Sequence, residues 1–266
     1  MIALGSFIKN VWQHPLAKGV DVNGGDAIEK HRLILQSKPL LHRHYLRWYR
    51  ECLPAFKETK DLKGPVVEIG SGAGFLEEMI PGLVKTDVVA NPYVSSVMDA
   101  MKLDFEDESL RCIFLFGVLH HIPFPGKFLL EAQRCLKPGG RLVMVEPSNN
   151  FLQRFLTRFL DHYEYYDDTI EDWVNGSSGR MTQANLALPW VIFIRDRARF
   201  EKELPFLKMK VIRYHTFLSY IVTGGMTYRS FLPSFVGPVI DGIENLAAPF
   251  MKKLGSAMTF DIVKQK

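Results

Sequence analysis

Val66-Val67-Glu68-Ile69-Gly70-Ser71-Gly72-Ala73-Gly74-Phe75 runs a β-branched segment straight into three alternating glycines. Glycine supplies backbone at left-handed dihedrals and at close approach to a ligand, so the pattern predicts a strand ending in a ligand-binding turn. A dinucleotide fingerprint asks for Gly-x-Gly-x-x-Gly/Ala, but here the sixth position is Phe75 and the third glycine falls one residue early. Outward from this turn, short β-branched runs alternate with helical patterns, which predicts an α/β fold with a Rossmann-like, doubly wound, mostly parallel sheet. Strands are expected at Val66 to Ile69, Val84 to Val89, Ser95 to Met98, Cys112 to Phe116, Arg141 to Glu146, Met209 to Tyr214 and Met258 to Val263.

Charge narrows the ligand. Glu68 precedes the turn, and Asp87 and Asp99 fall at the ends of the next two strands. Carboxylates converging on one crevice repel a pyrophosphate and attract a ligand that carries a sulfonium and an ammonium.

With these features in view, Val66 to Phe75, Asp87, Asp99-Ala100, Val118-Leu119-His120-His121 and Leu136-Lys137-Pro138-Gly139-Gly140 resemble successive motifs of the class I S-adenosylmethionine-dependent methyltransferases. The resemblance spans residues 65 to 147 and implies seven strands with the last antiparallel. It implies that the backbone of Gly70, Ser71, Gly72 and Gly74 cradles the methionine part of S-adenosylmethionine, with Glu68 at its amino end. Asp87 then holds the ribose hydroxyls, and Asp99 and Ala100 meet the adenine; Phe116 and Gly117 are expected to border the cofactor from their position at the end of the fourth strand, on the sheet's carboxyl edge. The link between Asp87 and Asp99 is too short for the family's usual intervening helix. Asn91-Pro92-Tyr93 follows the second strand rather than the fourth, so it is expected to be a turn and not an amino-methylating signature.

Methyl transfer is an in-line displacement that depends mainly on alignment, and a hydroxyl acceptor gains from a base. His121 is the expected base and His120 the neighbour to exclude, with Glu146, His42, His44, Tyr163 and His215 as further choices. Ser71 sits inside the turn and outside any nucleophile-elbow context. No metal ligand set is expected. The main expectation is methylation of a small molecule or glycan, at oxygen. The alternative is a catalytically silent scaffold of the same fold.

Four segments are expected: an N-terminal helical cap (1–64), a cofactor-binding core (65–147), an insertion with a crossover helix (148–208), and a C-terminal strand pair enclosing a lid insertion (209–266). Asp26 to Leu53 has helical spacing with a wet aromatic face of His42, His44, Tyr45, Trp48 and Tyr49, expected either to cap a pocket or to cover the sheet edge as an amphipathic helix. The insertion Asn149 to Trp190 carries the acidic aromatic cluster Tyr163 to Asp168, and Thr216 to Gly255 is rich in Phe, Leu, Gly and Pro. The apolar segment Phe231 to Met251 offers peripheral contact with a membrane surface as a minor option.

Across 266 residues the charge is +4 without a dense basic stripe, so nucleic acid is not an expected partner. Cys52, Cys112 and Cys135 form no CxxC pair and suit reduced thiols in a cytoplasm. Met1 to Gln13 lacks the pattern of an export signal, and no apolar run reaches a membrane span. Composition leaves oligomeric state open.

Overall fold

The computed structural model describes residues 11–160, 164–176 and 184–266. Tyr163 and the first ten residues of the N-terminal stretch lie outside the described residues. One seven-stranded sheet organises the chain, in the order β3-β2-β1-β4-β5-β7-β6. Its strands are β1 (Val66–Ile69), β2 (Val84–Asp87), β3 (Ser96–Val97), β4 (Leu110–Phe116), β5 (Leu136–Pro147), β6 (Leu207–His215) and β7 (Ala257–Lys264). β1 to β5 pair in parallel, and β7 runs antiparallel to both β5 and β6.

Strand alternation sorts side chains into two cores. Val67, Ile69, Ile113, Leu115, Leu142 and Met144 face one side, with Phe128, Phe193 and Phe200 packed there. Val66, Cys112, Phe114 and Val143 face the other, against Leu35, Leu41, Tyr49 and Phe75. Successive residues point to opposite faces of a pleated strand, so central strands covered on both sides must be apolar throughout. The edges differ. β6 alternates buried with wet positions and carries Lys208 and Lys210 outward, while β3 is two residues long; both features discourage edge pairing with another chain.

Three features depart from the sequence reading. The helical stretch expected over Asp26 to Leu53 is two helices, α1 (Ala27–Ser37) and α2 (Pro39–Arg50), followed by α3 (Leu53–Glu58) and, further along the chain, α4 (Pro125–Cys135), α5 (Phe151–Leu160) and α6 (Arg197–Glu203). Pro39 breaks the expected stretch, with Lys38 at φ −120° and ψ 89°, outside the helical region that a following proline disfavours. The aromatic face is not wet either, since His44 and Tyr49 are buried. Lys137 to Gly140, ahead of the strand start expected at Arg141, belongs to β5 as an irregularity: Leu110 pairs with Leu136, yet Cys112 pairs with Arg141. β2 ends at Asp87 because Asp87 Oδ1 takes the Val89 N–H at 2.9 Å and turns the chain out of the sheet.

β5 is stitched to β7 by a buried ion pair. Arg141 Nε donates to Asp261 Oδ1 at 2.8 Å, its Nη2 pairs with Oδ2, and Nη1 meets Glu58 of α3. Burial raises the Asp261 pKa against the pull of Arg141. Removing one partner of a buried pair leaves an uncompensated charge, whereas the intact pair adds little net stability. Asp261→Ala is therefore expected to lower the unfolding free energy by about 3 kcal/mol in urea titrations; a loss within the scatter of surface substitutions contradicts the assignment.

Candidate functional site

A cavity of about 550 Å³ opens at the carboxyl ends of β1, β2 and β4, where open α/β sheets bind ligands. All the residues expected to hold a cofactor line it. Glu68, Gly70, Ser71, Gly72 and Gly74 form the floor; Asp87, Asp99 and Ala100 form one wall; Phe116, Gly117 and His121 form the other.

The glycines do different work. An added Cβ at Gly70 meets Val118 Cγ1 at 2.7 Å, and one at Gly74 meets the Tyr49 hydroxyl at 2.7 Å, so these two pack against the protein itself. At Gly72 the nearest atom is Asp87 Oδ2 at 3.8 Å, and φ is +45°. Space for a ligand against bare backbone is thus found at Gly72.

A doubly wound nucleotide-binding fold normally follows such a turn with a long helix whose N-terminus holds phosphate. Here the chain makes a single 3-10 turn, Leu76–Glu78, with two acids in it. Carbonyls that a helix would have satisfied must find other donors. Arg32 of α1 donates to Ala73 and Gly74 carbonyls at 3.1 and 2.8 Å, and buried Lys85 donates to Gly74 at 2.8 Å. The Tyr49 hydroxyl accepts the Phe75 N–H at 3.1 Å, and His42 stacks on Phe75 with centroids 4.3 Å apart. The N-terminal helices therefore stand in for the missing helix. Sequence reasoning missed Arg32 and Lys85 in this role; a lysine inside the short strand Val84–Asp87 was the available signal.

The carboxylates are unequal. Glu68 is 2% exposed, and its Oε2 has no hydrogen-bond partner. Burial pushes its pKa up to about 8, with Lys85 opposing and Glu77 and Asp87 adding. Asp87 accepts the Gly72 N–H on Oδ2 and the Val89 N–H on Oδ1, both at 2.9 Å, and each oxygen keeps a further lone pair. Asp99 is exposed at the rim, with Oδ1 accepting the Met101 N–H at 2.8 Å. Between Asp87 and Asp99 there is no helix, and Asn91 closes a turn by accepting the Tyr93 N–H at 3.0 Å.

The two adjacent histidines divide sharply. His120 is buried, and its Nδ1 lies 2.6 Å from Glu146 Oε2. Burial alone would lower its pKa, but the charges and hydrogen bonds of Glu146 and Glu164 outweigh it and raise it to about 10. Glu146 Oε1 also accepts the Val118 and Leu119 N–H groups at 2.9 and 2.8 Å, so this acid fixes the loop after β4 and is fully committed. His121 instead faces the cavity, with Nε2 3.4 Å from Glu164 Oε1. Ligand atoms of His120, His121 and Glu164 lie within 4.8 Å of one another, a carboxylate bridging two imidazoles. His44 and His215, also considered from the sequence, are engaged elsewhere. His44 Nδ1 is 3.1 Å from Ser219 Oγ, His215 sits between Thr216 and Thr259, and burial pushes both down to about 3.

Residues 67–144 match the family model described as a methyltransferase domain. A demethylmenaquinone methyltransferase of Tropheryma whipplei is 34% identical over 88 residues, 27% of this chain and 37% of that protein. A mitochondrial ubiquinone biosynthesis O-methyltransferase of Candida albicans is 24% identical over 158 residues, 46% of this chain and 48% of that protein. The chain thus spans less than half the length of these curated relatives. Among solved structures, a geranyl diphosphate C-methyltransferase from Streptomyces coelicolor superposes with a TM-score of 0.44 at 13% identity, over 95% of this chain and 88% of that one. Over residues 67–144 the chain is similar to methyltransferase domains.

Proposed function

We propose that this protein is a methyltransferase that binds S-adenosylmethionine over the glycine turn and methylates an oxygen of a small molecule or glycan. One observation carries the reading: the buried carboxylate oxygen Glu68 Oε2, left without a donor in the wall of a cavity. Buried polar atoms are ordinarily paired, and an unpaired one facing a cavity calls for a ligand donor. An ammonium answers that need, whereas a phosphate adds charge of the same sign. The truncated helix after the turn removes the usual phosphate seat as well.

S-adenosylmethionine supplies the methyl group from its sulfonium. In this reading Glu68 holds the ammonium, Gly72 leaves room beside it, Asp87 accepts from the ribose hydroxyls, and Asp99 with Ala100 meets the adenine amine. Ser71, Phe116 and Gly117 border the same ligand. His121 accepts the acceptor's hydroxyl proton on Nδ1, while its Nε2–H faces Glu164, which orients the ring and stabilises the resulting imidazolium. His120 and Glu146 keep the loop in place and take no part in proton transfer. The names of the quinone-pathway relatives support a small-molecule acceptor and, for one, oxygen as the site; three buried free thiols fit a cytoplasmic setting.

Linkage gives a test of the Glu68 role. Free Glu68, with its pKa near 8, is mostly protonated at neutral pH, and a bound ammonium favours the ionised form. Binding therefore expels a proton below that pKa, and affinity for S-adenosylhomocysteine is expected to rise as pH rises toward 8. Glu68→Gln should remove this rise, since the ligand's own ammonium titrates alike in both proteins; an unchanged pH profile contradicts the assignment.

The base is tested by turnover. Release of S-adenosylhomocysteine over a panel of hydroxylated small molecules and glycans is expected, and His121→Ala should slow it by roughly 10²-fold at unaltered cofactor affinity. Undiminished turnover would remove His121 from the mechanism. Binding without release, across the whole panel, would favour the silent scaffold.

A further inference from the structure

The helix α7 (Gly237–Leu246) is built inside out. At the surface of a protein in water, a helix ordinarily turns charge outward and apolar side chains inward. On this helix Ile240 faces inward as usual, but the outward row is apolar as well. Phe235, just before the helix, is 80% exposed and Leu246 at its end is 82% exposed, with Val239 and Ile243 exposed between them. Phe250, one turn on, continues the row, and spacings of three and four residues place all five on one side.

The acids of the same helix point into the protein. Glu244 is 1% exposed; its Oε1 accepts the Phe217, Leu218 and Ser219 N–H groups at 2.8 to 3.0 Å, and Oε2 pairs with Arg47 at 2.7 Å. Asp241 is held by Arg43 and by Arg47 at 2.9 Å. Each acid of α7 is thus neutralised away from the apolar row. Exposed Lys252 and Lys253 border the row at its C-terminal end, in α8 (Met251–Leu254). Two neighbours widen the surface: Trp12 against Phe231 with ring centroids 5.7 Å apart, and Phe151 on α5 (Phe151–Leu160), which packs on α8.

Contiguous exposed apolar surface of this kind marks an interaction site. Its charge pattern selects the occupant. Anionic headgroups meet no outward acid from α7, and they meet two lysines at the point where the apolar row ends. We propose that this face seats the protein on an anionic lipid bilayer, with Phe235, Val239, Ile243, Leu246 and Phe250 at the headgroup and acyl boundary and Lys252 and Lys253 on lipid phosphates. The same insertion contributes Met226 to the cavity wall, so seating would bring the site to acceptors held in the membrane. This inference stands apart from the methyl-transfer reading, since the face is defined without reference to the glycine turn.

Co-sedimentation with vesicles of equimolar phosphatidylglycerol and phosphatidylcholine, against phosphatidylcholine alone, tests it. The full chain is expected to pellet with the anionic vesicles. The double variant Lys252→Ala, Lys253→Ala should bind them about 30-fold more weakly, from ~1 kcal/mol per lysine near the surface. Phe235→Asp with Leu246→Asp should abolish pelleting while leaving the far-ultraviolet circular dichroism unchanged, because both side chains already face solvent. Equal binding to both vesicle types overturns the proposal. So does binding to neither, including the case where the chain forms a dimer that the aspartate variant dissociates, which would make a second copy the occupant.

Discussion

A carboxyl group kept out of water governs this structure. Glu68 sits between two apolar strand positions, under Tyr49 and beside Gly74, in a place where ionisation is costly unless a cation arrives. An apolar residue there would pack without that cost. Lys85, whose charge acts on Glu68, is occupied with the Gly74 carbonyl and Glu77 and does not reach Glu68 Oε2 by hydrogen bond. The site is therefore held in a state that a cationic ligand completes, which is how a binding pocket differs from a structural ion pair such as Arg141 with Asp261.

Around that carboxyl the N-terminal helices perform a task usually done by the helix after the glycine turn. Arg32 satisfies the turn's carbonyls, Tyr49 accepts its last N–H, and the rings of His42 and Tyr45 cover Phe75. The consequence is a glycine turn free of a long helix dipole and of the anion preference that goes with it. Opposite, Glu146 performs a comparable service for the loop after β4 through two backbone N–H groups and His120.

The sheet was legible in the residues because buried parallel strands are continuous apolar runs; six strands were placed within two residues of their observed bounds, and β5 begins at Leu136 rather than Arg141. The turn and its lining were legible from their combination, three closely spaced glycines straight after a strand with acids at the ends of the next two strands. What stayed hidden depends on tertiary partners. The spacing from Asp26 to Leu53 is helical on both sides of Pro39, and nothing local says that His44 and Tyr49 point inward, since that follows from the truncated helix they replace. His120 and His121 are indistinguishable by type; Glu146 at the far end of β5 separates them. Glu164 meets His121 from across the insertion, a contact that no pattern in the sequence announces. The apolar segment Phe231 to Met251 was visible as composition, but the inward turn of Asp241 and Glu244 was not.

The central claim is that a negatively lined cavity above bare backbone is made for a cationic adenosyl ligand. Isothermal calorimetry of the purified protein with S-adenosylhomocysteine and, in parallel, with a nicotinamide dinucleotide tests it most directly. Saturable binding of the first with no heat from the second is the predicted result. Binding of the dinucleotide with indifference to S-adenosylhomocysteine would contradict the account.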